Sequence, residues 1–285
     1  MGREPLQNLE EWDVEYRRAI VFPGQGTAGG EISGEVEEAV KAEIGSGDVP
    51  YQLSVFANSV DLFHRLRDTG VSPDIVAGHS LGEYAAAYAS GSLSLEDGVR
   101  LVAERDRLMN EASRKNPGGM MAIIGAEPGA VSEVVANADG IVVAANFNTP
   151  RQTVISGEPD ALETASEKIK GRKVKLEVAG AFHSPLMEEA SEEMRELLSS
   201  VEFGGPKVPM VSAADGALLT NADELRAALQ KQMLSTVRWV SVVERLSELG
   251  VEEIIEAGEG GTLIRMLRDF KDKKFDGKIA SEVVA

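Results

Sequence analysis

Short apolar runs alternate along this chain with longer stretches in which apolar residues recur every three or four positions, the pattern of strands alternating with helices. Arg18-Ala19-Ile20-Val21-Phe22 reads as a strand that runs into the turn-rich Pro23-Gly24-Gln25-Gly26. Tyr51 to Leu66 carries Val55, Phe56, Val60, Phe63 and Leu66 at helical spacing, and Asp74-Ile75-Val76 is a further strand, followed by a small-residue helix from Tyr84 to Ser90. A helix over Ser94 to Ser113 opens on Ser94 with Asp97 three residues on, a loose capping box. Its apolar stripe runs Leu95, Val99, Val102 and Met109, and the position that should continue it between the last two is Arg105.

From Gly118 to Leu176 the pattern predicts strand Met120–Ile124, helix Pro128–Ala138, strand Ile141–Ala145, a turn at Asn146–Pro150, strand Gln152–Ser156, helix Pro159–Lys170 and strand Lys173–Leu176. That order, β-α-β-β-α-β, is a ferredoxin-like unit. Strand Val208–Val211, helix Ala222–Leu234, strand Glu252–Glu256 and a helix near Thr262–Lys271 resume the larger pattern from Ser184. The expected fold is therefore α/β: a hydrolase-like large subdomain with a parallel sheet, 18–116 and 184–285, an inserted ferredoxin-like small subdomain, 117–183, and an N-terminal extension, 1–17.

Chemistry concentrates at Gly78-His79-Ser80-Leu81-Gly82, a Gly-x-Ser-x-Gly core between a strand and a helix. Such a turn presents Ser80 Oγ as a nucleophile, with the Leu81 amide aimed at whatever Ser80 attacks. The same pattern also suits a serine that merely caps a helix. His183 lies where the chain leaves the small subdomain, so a Ser80/His183 dyad fits. No Asp or Glu stands out to orient the imidazole, and a backbone carbonyl serves instead. His79, adjacent to the serine at a tight elbow, reads as a structural neighbour, and His64, beside Arg65 and Arg67, as a structural histidine. An inward Arg105 reads either as a stem that packs while its head snorkels to solvent or pairs with a structural carboxylate, or as a clamp that a substrate carboxylate completes by a bidentate pair.

Composition narrows the class. The 285 residues include no cysteine, which excludes disulfides and thiolate chemistry, and three separated histidines offer no metal cluster. A net charge of −18 argues against nucleic-acid and anionic-membrane partners. No apolar run is long enough to span a bilayer, and Met1 to Arg18 is charged throughout, so a cytoplasmic protein is expected.

In order along the chain, Phe22-Pro23-Gly24-Gln25-Gly26, Gly78-His79-Ser80-Leu81-Gly82-Glu83, Leu101-Val102-Ala103-Glu104-Arg105, Asn146-Phe147-Asn148-Thr149-Pro150 and Gly180-Ala181-Phe182-His183-Ser184 resemble the malonyl-CoA:acyl carrier protein transacylase family, over about Arg18 to Arg268. The resemblance implies Ser80 as nucleophile, His183 as base and acid, the backbone amides of Gln25 and Leu81 as oxyanion hole, the Gln232 carbonyl as the group orienting the histidine, and Arg105, Gln52 and Asn148 as substrate-binding residues. It implies ping-pong transfer from a coenzyme A thioester to the phosphopantetheine of acyl carrier protein, in fatty-acid or polyketide synthesis, with no metal or other cofactor. The segment between Gly26 and Gly78 is shorter than is usual for the family, as if helical material were missing; Thr27-Ala28 stands for Ser-Gln and Ser212-Ala213 for an asparagine-bearing stretch. An acidic carrier needs a basic landing patch, for which Arg114, Lys115, Arg151, Arg172, Lys173 and Lys175 are candidates. A thioester hydrolase on the same fold and a non-catalytic carrier-docking module are the alternatives.

Overall fold

The computed structural model describes residues 15–27 and 29–285. Its elements, in chain order, are β1 (Arg18–Phe22), α1 (Gly34–Ile44), α2 (Tyr51–Asp68), β2 (Ile75–Gly78), α3 (Gly82–Ala89), α4 (Leu95–Lys115), β3 (Gly119–Ile124), α5 (Pro128–Ala136), β4 (Val142–Thr149), β5 (Gln152–Gly157), α6 (Pro159–Lys168) and β6 (Arg172–Lys175). There follow α7 (Glu188–Ser199), β7 (Met210–Val211), β8 (Leu218–Leu219), α8 (Ala222–Lys231), α9 (Trp239–Glu248), β9 (Glu253–Glu256), α10 (Thr262–Met266), β10 (Asp276–Ile279) and α11 (Ala280–Val283).

Two sheets organise them. The larger runs β10-β9-β1-β2-β7-β8, parallel except for the terminal β7–β8 pair. Its central strands β1 and β2 are buried on both faces, as is usual in parallel sheets: Ile20, Phe22 and Val76 pack into the core beneath α2, α3 and α4, while Ala19, Val21, Ile75 and Ala77 pack on the other side with Trp239, Val242 and Leu246 of α9. Of the extension expected over 1–17, only 15–17 are described, and there Tyr16 is buried in this second cluster.

The smaller sheet, β4-β5-β3-β6, is antiparallel throughout and has the strand order of a ferredoxin-like unit. Alternation divides its side chains: Met121, Ile123 and Ile155 lie under α5 and α6, whereas Met120, Ala122, Ala145 and Val154 join the core of the larger subdomain. One face of the insertion is thus committed to its host, and the junction makes a cleft.

Two expectations need correction. Asn146 to Thr149 is not a turn but the end of β4, and the hairpin turns at Pro150-Arg151. The segment pairs with β5 on one side, and on the other Phe147 N donates to Val237 O at 2.8 Å and Val237 N to Ala145 O at 2.8 Å, so a segment of the large subdomain helps to keep it extended. The segment after Gly26 holds one helix, α1, that the spacing does not reveal, because only Val36 and Val40 face inward among charged neighbours. The helix read near Thr262–Lys271 ends at Met266 in a tighter turn, Leu267–Asp269. Helices α7 and α9 and the edge strand β10 lie outside the elements that the sequence pattern predicts.

The elbow rests on close backbone contact. A Cβ at Gly82 would stand 2.0 Å from Phe22 O, and one at Gly78 2.1 Å from Gly82 C, so β1, β2 and the start of α3 meet there without side chains. Gly82→Ala is therefore expected to cost about 2–3 kcal/mol by overpacking, read as a lower urea midpoint at unchanged m-value; an unaltered midpoint would show that the backbone gives way freely.

Candidate active site

Ser80 tops the turn from β2 into α3 in a left-handed backbone, φ 52, and the one other non-glycine with positive φ among the described residues is His183, φ 58. Such conformations cost roughly 1–3 kcal/mol each and persist where surrounding structure enforces them. Here they bring two side chains face to face: Ser80 Oγ lies 2.8 Å from His183 Nε2. His183 Nδ1 faces two carbonyls, Gln232 O at 3.1 Å and Ser235 O at 3.0 Å. Carbonyls only accept, so the proton sits on Nδ1 and Nε2 is left as the acceptor for the serine hydroxyl. Burial, reinforced by the nearby Arg105 cation and then by His79, pushes His183 down to about 3. It is neutral at pH 7.

Beneath the serine lies Arg105, with no exposed surface. Its Nε donates to Gln232 Oε1 at 3.2 Å, its Nη1 to Gln52 Oε1 and its Nη2 to Ser80 Oγ at 3.3 Å. The face of Tyr84 lies 5.9 Å from the guanidinium carbon. No carboxylate among the described residues comes within 4 Å of it; the buried acid Glu83 is held at one remove, accepting from Gln232 Nε2 at 2.9 Å and from Ala213 N at 2.9 Å. Gln232 Nε2 also donates to Ser80 O at 2.8 Å. One glutamine thus links arginine, serine backbone, histidine and buried acid. Burial pushes Glu83 up to about 7 against the pull of those donors. Of the five guanidinium N–H groups three have protein acceptors, leaving one on Nη1 and one on Nη2.

The cleft above Ser80 is lined by Gln25 and Thr27 of the loop after β1, by Met120, Asn146, Asn148 and Val154 of the small sheet, by Phe182 and His183, and by Leu263 and Met266 of α10. This is the carboxyl edge of the parallel strands, where open α/β sheets hold ligands. Asn148 lines it but is engaged: its Oδ1 accepts from His79 Nε2 at 2.9 Å and its Nδ2 donates to Gln152 Oε1 at 2.9 Å. His79 also lines the cleft, its ring packed against Trp239 with centres 5.6 Å apart. His64, half-buried on α2, meets Tyr88 Oη at 2.7 Å, remote from the cleft. Among the described residues no three His, Cys, Asp or Glu side chains group as metal ligands, and no helix is long and apolar enough to cross a membrane.

Sequence reasoning assigned no part to Glu83, Ser235 or Asn146. Glu83 carries a signal in hindsight, as the one acid in the otherwise apolar Gly-Glu-Tyr-Ala-Ala-Ala-Tyr-Ala helix. Ser235 acts through its backbone carbonyl, which no side-chain pattern reports.

The depressed His183 has a measurable sign. The unfolded chain takes up that proton near the ordinary histidine value and the folded one only near 3, so the associated stability is intact above about pH 6.5 and drains away as pH falls, on the order of 1 kcal/mol per pH unit. Glu83 works in the opposite sense, its raised value favouring the fold as pH falls from 7 towards 4.5, but it is present with or without His183. His183→Gln should therefore gain on the parent in urea unfolding as pH is lowered from 7 to 5; a constant difference would place the histidine at an ordinary value.

Residues 44–283 match the acyl transferase domain family. A malonyl CoA-acyl carrier protein transacylase of Bacillus subtilis is 33% identical over 282 residues, 88% of this chain and 89% of that protein. The crystal structure of the Synechocystis malonyl-CoA:ACP transacylase superposes with a TM-score of 0.84 at 31% identity, covering 92% of this chain and 96% of the other. A malonyl-transacylase solved in complex with its type II polyketide acyl carrier protein gives 0.81 at 29% identity, covering 92% and 94%. With sequence and fold matched over most of its length, the chain belongs to the malonyl-CoA:acyl carrier protein transacylase family of acyl transferases.

Proposed function

We propose that this chain transfers a malonyl group from coenzyme A to the phosphopantetheine thiol of an acyl carrier protein in the cytoplasm, for fatty-acid or polyketide synthesis, through a malonyl ester of Ser80. The observation that carries the reading is Arg105: a fully buried cation without a carboxylate partner, bonded to the very oxygen that would attack. Burial of a lone charge costs several kcal/mol, and a substrate anion at the two unpaired N–H groups offsets that cost where a generic ester would not. Gln52 and Gln232 hold the guanidinium by neutral oxygens and so leave its charge for the ligand.

Each half-reaction has the same form. Ser80 gives its proton to His183 Nε2 as Oγ bonds to the thioester carbon; the tetrahedral oxyanion rests on the amides of Gln25 and Leu81, worth roughly 3 kcal/mol each. Collapse breaks the carbon–sulfur bond and His183 returns the proton to the departing thiolate. In the second half the carrier's thiol gives its proton to His183, sulfur attacks the ester carbon, and Ser80 leaves with the proton restored. Charge forming on the imidazole is met by the Gln232 and Ser235 carbonyls in place of a carboxylate. No metal or cofactor takes part in these steps. The acidic carrier would meet Arg172, Lys173 and Lys175, all exposed on β6 at an edge of the small sheet.

Intact-mass measurement after mixing with malonyl-CoA tests the assignment. One malonyl group should appear on the parent, none on Ser80→Ala, and added holo carrier should discharge it onto the phosphopantetheine. An adduct on the alanine variant would displace the nucleophile, and discharge to water faster than to carrier would make the protein a hydrolase.

Arg105→Ala removes the charge-assisted grip on the malonyl carboxylate and, for either substrate, the bonds to Ser80 Oγ and Gln232. kcat/KM for malonyl-CoA should fall by 10²-fold or more beyond any loss for acetyl-CoA, about 3 kcal/mol, with circular dichroism confirming the fold. Equal loss for both substrates would make Arg105 a purely structural cation.

A further inference from the structure

The loop that presents the Gln25 amide has little to hold it. Gly26 sits at φ 99 with nothing within 4 Å of where a Cβ would be, so neither packing nor side-chain sterics restrains the middle of the loop. Its flanks are fastened: His79 N donates to Phe22 O at 2.9 Å, and beyond the loop Gly29 and Gly30 lie against Ser54 and Asn58 of α2. Within the loop Thr27 Oγ1 donates to Gly24 O at 2.6 Å. Among the described residues, one side chain from outside reaches its centre. Tyr51 Oη accepts from Gly26 N at 3.0 Å and donates to Thr27 O at 2.9 Å, bridging the two peptides that follow Gln25.

Tyr51 is the first residue of α2 and Gln52 the second. Gln52 is buried and accepts from Arg105, whereas Tyr51 remains 46% exposed and turns to the loop. Successive positions on a helix point about 100° apart, so one helical turn reaches both the guanidinium and the oxyanion loop. A phenol is suited to the second task because its single oxygen both accepts and donates, and its ring is a rigid spacer with two rotatable bonds.

We propose that Tyr51 is a positioning residue that sets the Gln25 amide for the tetrahedral oxyanion, an inference that rests on reading that amide as an oxyanion donor. Preorganised donors act only where they stand within hydrogen-bond distance of the developing charge, and loss of one oxyanion donor costs about 10²–10³ in rate. A loop left tethered at its flanks keeps part of that, so removal of the hydroxyl should cost about tenfold.

Tyr51→Phe deletes the hydroxyl and keeps the ring. Tyr51 is half exposed and Gly26 is open to water, but Thr27 is buried, so loss of the bond to Thr27 O should lower Tm by no more than a few degrees. Three readouts are expected: amide exchange at Gln25, Gly26 and Thr27 about tenfold faster; acylation of Ser80 about tenfold slower for malonyl-CoA and acetyl-CoA alike, in kcat with KM unchanged; and the same loss with p-nitrophenyl acetate, which needs neither Arg105 nor a carrier. Unchanged exchange at the loop, or faster exchange with an unchanged acylation rate, overturns the inference, as does a loss confined to malonyl. If the parent reacts with the ester but not with malonyl-CoA, and Tyr51→Phe slows the ester reaction, the malonyl assignment fails while the role of Tyr51 stands.

Discussion

A guanidinium sealed from water without a carboxylate beside it is the constraint around which this site is built. Taking such a cation out of water costs several kcal/mol even after relaxation, and the fold answers with neutral acceptors on Gln52 and Gln232, the hydroxyl of Ser80 and the face of Tyr84. The buried acid Glu83 is separated from it by the Gln232 amide. That spacing matters. A carboxylate in direct contact would satisfy the arginine permanently, whereas a glutamine oxygen leaves the positive charge available to an anion that arrives and departs.

The same glutamine ties recognition to chemistry. Its side chain spans Arg105, Glu83 and the Ser80 carbonyl, and its own carbonyl faces His183 Nδ1. The residue that holds the cation and the residue that selects the imidazole tautomer are therefore one, at the point where α8 tightens into a helical turn. Replacement of a triad carboxylate by two carbonyls keeps the imidazole neutral in a site already carrying one buried cation, and the left-handed backbones of Ser80 and His183 are the local strain by which the two reach each other.

The cleft depends equally on the insertion. Antiparallel alternation sends half of the small sheet's side chains into the host core, so Met120 and Val154 become a wall of the cleft while Met121 and Ile155 stay with their own helices. Pairing of Val237 with β4 extends that strand towards the serine and carries Asn146 and Asn148, two residues apart on one face, to the opening.

Read alone, the sequence determined what local rules govern. The glycine pair about Ser80 marks a turn that only small residues permit, the interruption of an apolar stripe marks Arg105 as inward, and the strand–helix order Met120 to Leu176 marks the ferredoxin-like insertion. Tertiary structure decided what depends on partners distant in the chain. Asn146 to Thr149 carries turn residues yet is strand, paired with β5 on one side and, on the other, bonded by Val237, some ninety positions away. Glu83, Ser235 and Tyr51 entered the site through a buried carboxylate, a backbone carbonyl and a hydroxyl whose partners lie 130, 52 and 25 residues off. Periodicity reports which side of an element is apolar; it carries no information about which polar group meets which across a fold, since that is set by how the two sheets and the α2 terminus pack together.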